Sequence, residues 1–410
     1  MTFRRWRLRT ILKRTALGVA ALQASTIGVL LVIDQRRKKG RSPAIFPRLP
    51  PRSVTVGGSE VTLYTYGEDL YYDMLGAIRQ AKTQVFFETY IWKSDEVGQA
   101  FKTALIEAAD RGVKVYVVFD EFANLVVPPA FFTFPKNVEV RRHPVISTSF
   151  RVPRNSGRDH RKILVVDSDA AFLGGFNIGS LYATEWRDTH ARLTGDVVWD
   201  VHNAFIDYWN LHAGRRRSAL PDVGAISWQS KIRVHRNVPR NMVYPIRGMY
   251  LEAIDRASDH IYLTHAYLIP DEDMLSALTR AAKRGVDVRI IVPAESNHIV
   301  ADWLSRGFYS QLLRSGVRLL LYQSAMVHAK TATIDGQWST IGTANLDRLS
   351  LLGNYEINIE IYDEGVARQM EEIFAIDSSN TVELTTSEWH RRHAMVKFSE
   401  TVLTPLRPLL

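Results

Sequence analysis

The spacing of apolar residues divides the body of the chain into two runs of the same order. Residues 85–92 form a β-branched and aromatic run that predicts a strand, 97–109 carry helical apolar spacing, and 111–119 read as strand again. Residues 261–268, 274–282 and 284–292 repeat that order. Strand, helix, strand predicts a βαβ unit in each half and an α/β fold. Gly112 and Gly285 each follow a predicted helix and suit the left-handed position that ends one.

Ahead of the body, residues 16–33 run for 18 positions without a charge. At ~1.5 Å per residue a helix there is roughly 27 Å long, about the thickness of a bilayer core. An uncleaved membrane anchor is expected, because the apolar run continues through 27–33, past the small residues near Ala24 where a signal peptide would be cut. Gln23, Ser25 and Thr26 interrupt the segment, and a helix lying in the interface is the other arrangement it allows. The Pro-rich stretch 42–52 predicts a stiff linker, with the folded body starting at Ser53.

The formal charge of +9 changes meaning once it is located. Residues 1–52 hold 13 Lys/Arg and one acid, Asp34, whereas the remainder holds 39 basic and 42 acidic residues, a balance of −3. The positive excess therefore sits in the tail, where it suits anionic lipid headgroups, and the body lacks the basic surface that nucleic acid requires. There is no cysteine, which excludes disulfides and thiol nucleophiles.

The chemistry-bearing residues follow the same duplication. His-x-Lys-x4-Asp occurs as His160, Lys162, Asp167 and, 168 residues later, as His328, Lys330, Asp335. That offset also carries Gly174 onto Gly342, Asn177 onto Asn345 and Asp188 onto Glu356. If Ser168-Asp169 and Gly336-Gln337 are two-residue hairpin loops, His160 lies opposite Asn177 and His328 opposite Asn345. Gly175 then lies across from Lys162, and Thr343 across from Lys330, leaving room beside each ammonium for a phosphate.

Phosphodiester exchange needs cations and amide donors for the non-bridging oxygens, a nucleophile, and an acid for the leaving alkoxide. Two histidines divide the last two roles. Asp188 and Glu356 are the candidate carboxylates that bond an imidazole Nδ1 and leave Nε2 for chemistry. Asp167 and Asp335, at the strand ends, suit bracing of the hairpins. A lysine beside each histidine disfavours a metal, and neither metal nor cofactor is expected.

These residues resemble the paired signature of the phospholipase D superfamily over 53–410. Gly174-Gly-Phe-Asn-Ile-Gly179, Trp186-Arg-Asp-Thr-His190, Thr343-Ala-Asn-Leu-Asp347 and Asn354-Tyr-Glu356 look like bacterial cardiolipin synthases, nearer the B type. The ending Pro408 to Leu410 leans the same way, whereas Arg348-Leu-Ser350 departs from the A-type spacing.

The resemblance implies two homologous repeats, each a mixed β-sheet flanked by helices, about a pseudo-twofold axis with one active site between them. It further implies a phosphohistidine on His160 as nucleophile, His328 as general acid and then base, no metal, and conversion of two phosphatidylglycerols to cardiolipin and glycerol. The expected organisation is a basic segment 1–41 with its anchor at 16–33, a linker 42–52, and repeats at 53–225 and 226–410. The expected partners are anionic phospholipids and a bacterial cell membrane, with no nucleic acid. Hydrolysis or headgroup exchange through the same intermediate is the alternative chemistry, and a membrane-tethered nuclease a more distant one. Residues 127–135, Trp389, Phe398 and the terminal leucines allow either contact with a bilayer interface or ordinary loop packing.

Overall fold

The computed structural model describes residues 44–146, 157–212 and 231–392, with shorter pieces at 14, 17–18, 21–30, 32, 219–221, 228 and 402. Two eight-stranded mixed sheets account for most of it. The first runs in the order Arg52–Val56, Ser59–Tyr64, His190–Gly195, Ala170–Gly174, Ile163–Val166, Gln84–Thr89, Lys114–Asp120, Val138–His143. The second runs Ile232–Asn237, Glu356–Tyr362, Trp338–Gly342, Lys330–Ile334, His260–His265, Asp287–Pro293, Arg318–Tyr322, Thr381–Glu383. Seven strands correspond between the sheets, and each sheet adds one extra strand at an opposite edge.

The predicted βαβ units are present. Gln84–Thr89 lies parallel to Lys114–Asp120, and His260–His265 parallel to Asp287–Pro293. The intervening helices Glu96–Asp110 and Glu272–Lys283 start alike, with Asp95 accepting from Gly98 N and Asp271 from Met274 N. A cap of this kind is worth about 1 kcal/mol. Both helices stop at the predicted glycines, Gly112 at φ 91° and Gly285 at φ 96°. The first strand of each unit is shorter than predicted: Trp92 leaves the sheet to pair with Ile178, and Leu268 pairs with Leu346.

Each sheet has its own apolar face under the helices, and the other faces meet. Phe86, Val165, Leu173 and Leu193 of the first half share one core with Ile341, Ile357 and Ile359 of the second. Strand Ala170–Gly174 touches both Trp338–Gly342 and Glu356–Tyr362 across this seam. At roughly 1.5–3 kcal/mol for each large side chain buried, such a core fixes the two halves against one another.

The hairpin register differs by one residue from expectation. Val166 pairs with Ala170 and Ile334 with Trp338, so Asp167 and Asp335 are turn residues rather than strand ends. Both adopt left-handed backbone at φ 53°, followed by Ser168 at 61° and Gly336 at 65°. Positive φ at two successive positions matches the twist of a tight hairpin. The cause lies in the aspartates themselves. Asp167 accepts from the backbone N–H of Lys82, Thr83 and Gln84, and Asp335 from those of Ser258, Asp259 and His260. Each carboxylate thus ties its hairpin to the start of the neighbouring strand, so the pairing of His160 with Asn177 and of His328 with Asn345 across a two-residue loop does not form.

Of the two arrangements open to 127–135 and Trp389, the aromatic side chains take packing. Phe131 and Phe132 are buried against Trp92 and Phe119, and Trp389 is buried with its Nε1–H donating to Ser310 Oγ at 2.8 Å. Phe398 and Pro408 to Leu410 lie outside the described residues, as does part of 16–33. Residues 21–30 are helical, and Leu30 packs with Ile269, Ile299, Trp303 and Leu304. Among the described residues no helix is long and apolar enough to cross a membrane.

Candidate active site

The two halves exchange short parallel strand pairs at their seam, and these position the histidines. Asp159 bridges to Tyr355, and His160 N donates to Tyr355 O at 3.0 Å. On the other side Met326–Val327 pairs with Trp186–Arg187, and His328 N donates to Arg187 O at 2.7 Å. In each case the next residue of the partner segment is an acid. His160 Nδ1 therefore lies 2.9 and 3.0 Å from the two oxygens of Glu356, and His328 Nδ1 lies 2.6 Å from Asp188 Oδ2. Each histidine is oriented by the carboxylate of the opposite repeat.

Asp188 is closely held. A Cβ on Gly175 would sit 2.0 Å from Asp188 Oδ1, so only glycine leaves that carboxylate its place. The space expected beside Lys162 for a phosphate is thus filled by Asp188. In the second half Thr343 stands at the matching position, and its hydroxyl donates to Glu356 Oε2 at 2.5 Å. The two carboxylates are braced by different means at equivalent points.

Electrostatics follow from burial and crowding. Burial pushes the Asp188 carboxyl up, but Lys330 and His328 outweigh it and hold the group below its ordinary value. Burial raises Glu356 to about 8 against the pull of Lys162 and the Thr343 hydroxyl. It lowers Lys162 to about 7 and Lys330 to about 8, partly offset by the same carboxylates. Burial, then the neighbouring lysines, depress both histidines, His328 to about 3 and His160 well below its usual range. Both imidazoles are therefore neutral. Lys330 Nζ also lies 2.8 Å from His328 Nδ1. One Nδ1 has one hydrogen, and an ionised Asp188 can only accept, so Nδ1–H donates to Asp188 and Lys330 donates to the His328 carbonyl oxygen.

His160 and His328 open into one cleft of about 340 Å³, which Asn177 and Asn345 also line. Asn177 accepts from Ile91 N at 3.2 Å through Oδ1, while Asn345 Oδ1 is buried without a partner. The cleft holds aromatic residues that spacing alone did not identify as part of the site: the Tyr90 ring stands 4.7 Å from His160, and the Trp186 ring 4.9 Å from His328. It also holds a buried acid, Asp347. Asp167 and Asp335 are not brought to the cleft. They remain at the hairpin turns, bonded to backbone.

A pair of neutral imidazoles, each fixed by a carboxylate and each followed by a buried lysine, can perform nucleophilic displacement at phosphorus with general acid–base assistance. Comparison with known proteins agrees with that chemistry. A family described as "Cardiolipin synthase, PLD-like domain" matches residues 74–201 and again 250–377. "Cardiolipin synthase 2" of Staphylococcus epidermidis is 32% identical over 370 residues, covering 86% of this chain and 75% of that protein. "Cardiolipin synthase" of Clostridium perfringens is 30% identical over 382 residues, covering 86% and 77%. Among solved structures, phosphatidylserine synthase of Haemophilus influenzae shares the fold, with a TM-score of 0.66 at 16% identity over 88% of this chain and 94% of that one. With both repeats matched and relatives of this identity spanning most of its length, the chain belongs to the cardiolipin synthase family of phospholipase D-like proteins.

Proposed function

We propose that this protein is a phosphatidyltransferase that converts two molecules of phosphatidylglycerol to cardiolipin and glycerol through a phosphohistidine. The observation that carries the proposal is the crossed pairing of His160 with Glu356 and His328 with Asp188 around a single cleft.

In this reading His160 Nε2 attacks phosphorus while the P–O bond to glycerol breaks. His328, charged once the phosphodiester anion is bound, donates its Nε2 proton to the departing alkoxide. Its imidazolium is stabilised by Asp188, as a buried carboxylate stabilises the histidine of a hydrolytic triad. The hydroxyl of a second phosphatidylglycerol then gives its proton to His328 and attacks phosphorus, and the P–N bond to His160 breaks. Lys162, Lys330, Asn177 and Asn345 supply charge and amide hydrogen bonds to the non-bridging oxygens.

The accompanying organisation is a basic segment 1–41 that anchors the enzyme to a bacterial membrane through 16–33, a linker 42–52, and repeats at 53–225 and 226–410. The tail's 13 basic residues and uncharged 16–33 run support it. Incubating the full-length protein with phosphatidylglycerol alone, beside His160→Ala and His328→Ala, tests the function by lipid mass spectrometry. Cardiolipin from the wild type only is expected. Phosphatidic acid as the sole product would make the protein a hydrolase.

A further inference from the structure

Three paired positions around the cleft break its pseudo-twofold symmetry in the same direction, while Tyr90 against Ala266 breaks it in the other. Trp186 of the first half corresponds to Asn354 of the second, and Gly179 to Asp347, through the same 168-residue offset that relates the histidines. Gly179 and Asp347 also hold the same place in the fold, each preceding a five-residue helix, Ser180–Thr184 and Arg348–Leu352. Glu88 pairs with Ile163 as Thr264 pairs with Thr331, so Ile91 corresponds to Tyr267. At all three places the first half offers an apolar group or none, and the second offers a polar one.

The polar atoms on that wall form a complementary set. The Tyr267 hydroxyl donates to Asn297 Oδ1 at 2.6 Å, which leaves its phenol oxygen to accept. Asp347 takes the backbone N–H of Ser350 on Oδ1 at 2.6 Å and its hydroxyl on Oδ2 at 3.2 Å. A carboxylate has about four acceptor sites, so both oxygens retain capacity toward the cleft. Asn354 Oδ1 accepts from Arg158 N at 2.9 Å, which leaves the NH2 as the group that can donate to a ligand. Capping a five-residue helix explains an acceptor at 347. It does not explain why the acceptor is charged, buried and in the same cleft as both histidines.

We propose that Tyr267, Asp347 and Asn354 form a subsite for the 1,2-diol of the alcohol that receives the phosphatidyl group. Two vicinal hydroxyls match a carboxylate that can accept from both, with a donor beside it. The inference rests on the transferase reading above and names the half of the cleft that selects the acceptor. At the transfer step the acceptor oxygen forms a bond to phosphorus, the P–N bond to His160 breaks, and the hydroxyl proton passes to His328. Asp347 takes no part in bond making. Burial raises its carboxyl to about 6, so the diol preference should weaken as pH falls through that value.

The test uses full-length protein, phosphatidylglycerol in detergent micelles, and equal concentrations of 1,2-propanediol and 1-propanol as competing acceptors. The ratio of the two phosphatidyl-alcohols is read by mass spectrometry for the wild type, Asp347→Ala, Asp347→Asn and Tyr267→Phe. Losing the hydrogen bonds of a charged acceptor should cut the preference for the diol about tenfold in Asp347→Ala. Asp347→Asn keeps an oxygen for the helix cap and should lose most of the preference too, which separates recognition from folding. A ratio is insensitive to the fraction of active enzyme. An unchanged ratio in the Asp347 variants, or no diol preference in the wild type, would overturn the inference while leaving the transferase reading intact. A wild type that transfers to no alcohol and makes no cardiolipin would overturn that reading itself.

Discussion

Replacing Glu356 by Gln tests the crossed pairing at its most demanding point. Glu356 is fully buried, and both of its oxygens lie within 3.0 Å of His160 Nδ1. In its ionised form, which prevails above about pH 8, it accepts Nδ1–H and leaves the Nε2 lone pair facing the cleft. Glutamine fills the same volume, and its oxygen can still accept from the Thr343 hydroxyl. Its NH2 then faces Nδ1 as a donor, which favours the tautomer with hydrogen on Nε2, the atom that must attack. Losing a hydrogen bond to a charged group costs about 1.5–3 kcal/mol. The corresponding amide substitution in a Ser-His-Asp triad, where the tautomer inverts as well, costs about 10⁴ in kcat. A fall in kcat of roughly 10²- to 10⁴-fold, or ~2.7–5.5 kcal/mol, is therefore expected for Glu356→Gln. Imidazole ¹⁵N shifts should show His160 changing tautomer in Glu356→Gln and keeping it in Asp188→Asn. A loss of less than about fivefold, or a His160 signal that responds to Asp188 rather than Glu356, would refute the reasoning.

Asp335→Asn should behave in the opposite way. Asn tolerates the left-handed backbone at that turn but loses the charge that accepts three N–H groups, so a stability loss of about 1–3 kcal/mol in denaturant melts is expected, with kcat of the folded enzyme nearly unchanged. Asp377→Ala would strand the buried Arg187 guanidinium, which it holds at 2.9 and 2.7 Å, and should cost about 3–5 kcal/mol by the same measurement. The pH dependence should divide activity from stability. The free enzyme loses its ammonium groups as pH rises through about 7 at Lys162 and about 8 at Lys330, so kcat/KM should fall on the alkaline side. Over the same range these folded lysines bind fewer protons than unfolded ones, whose pKa is near 10.4, so their contribution to stability should rise. Parallel pH series of initial rates and thermal melts check both signs.

The sequence disclosed the duplication and the βαβ units because strand and helix periods are local properties, and the 168-residue offset aligned the site residues without any structure. It did not disclose which carboxylate serves which histidine. Asp188 and Glu356 each lie 28 residues beyond the histidine of their own repeat, and that spacing cannot report that the strand pairs at the seam are exchanged. Asp335-Gly336 is a preferred dipeptide for a tight hairpin, and a turn there with Gln337 as one further loop residue gives the observed pairing of Ile334 with Trp338. Tyr90 lies in a run that reads as strand and Trp186 in a short motif, where an aromatic residue is ordinarily core, so only the cleft identifies them as its walls. Asp347 does not stand out in the sequence because its counterpart in the first repeat is Gly179 rather than a second acid.

The proposed mechanism requires a covalent phosphohistidine at one defined residue. Wild-type enzyme mixed with phosphatidylglycerol labelled in phosphorus, quenched in alkali within one turnover and digested, should carry the label on the peptide containing His160, with none in His160→Ala. Label on the His328 peptide would contradict the assignment of roles, and the absence of any labelled peptide while cardiolipin accumulates would contradict the covalent mechanism.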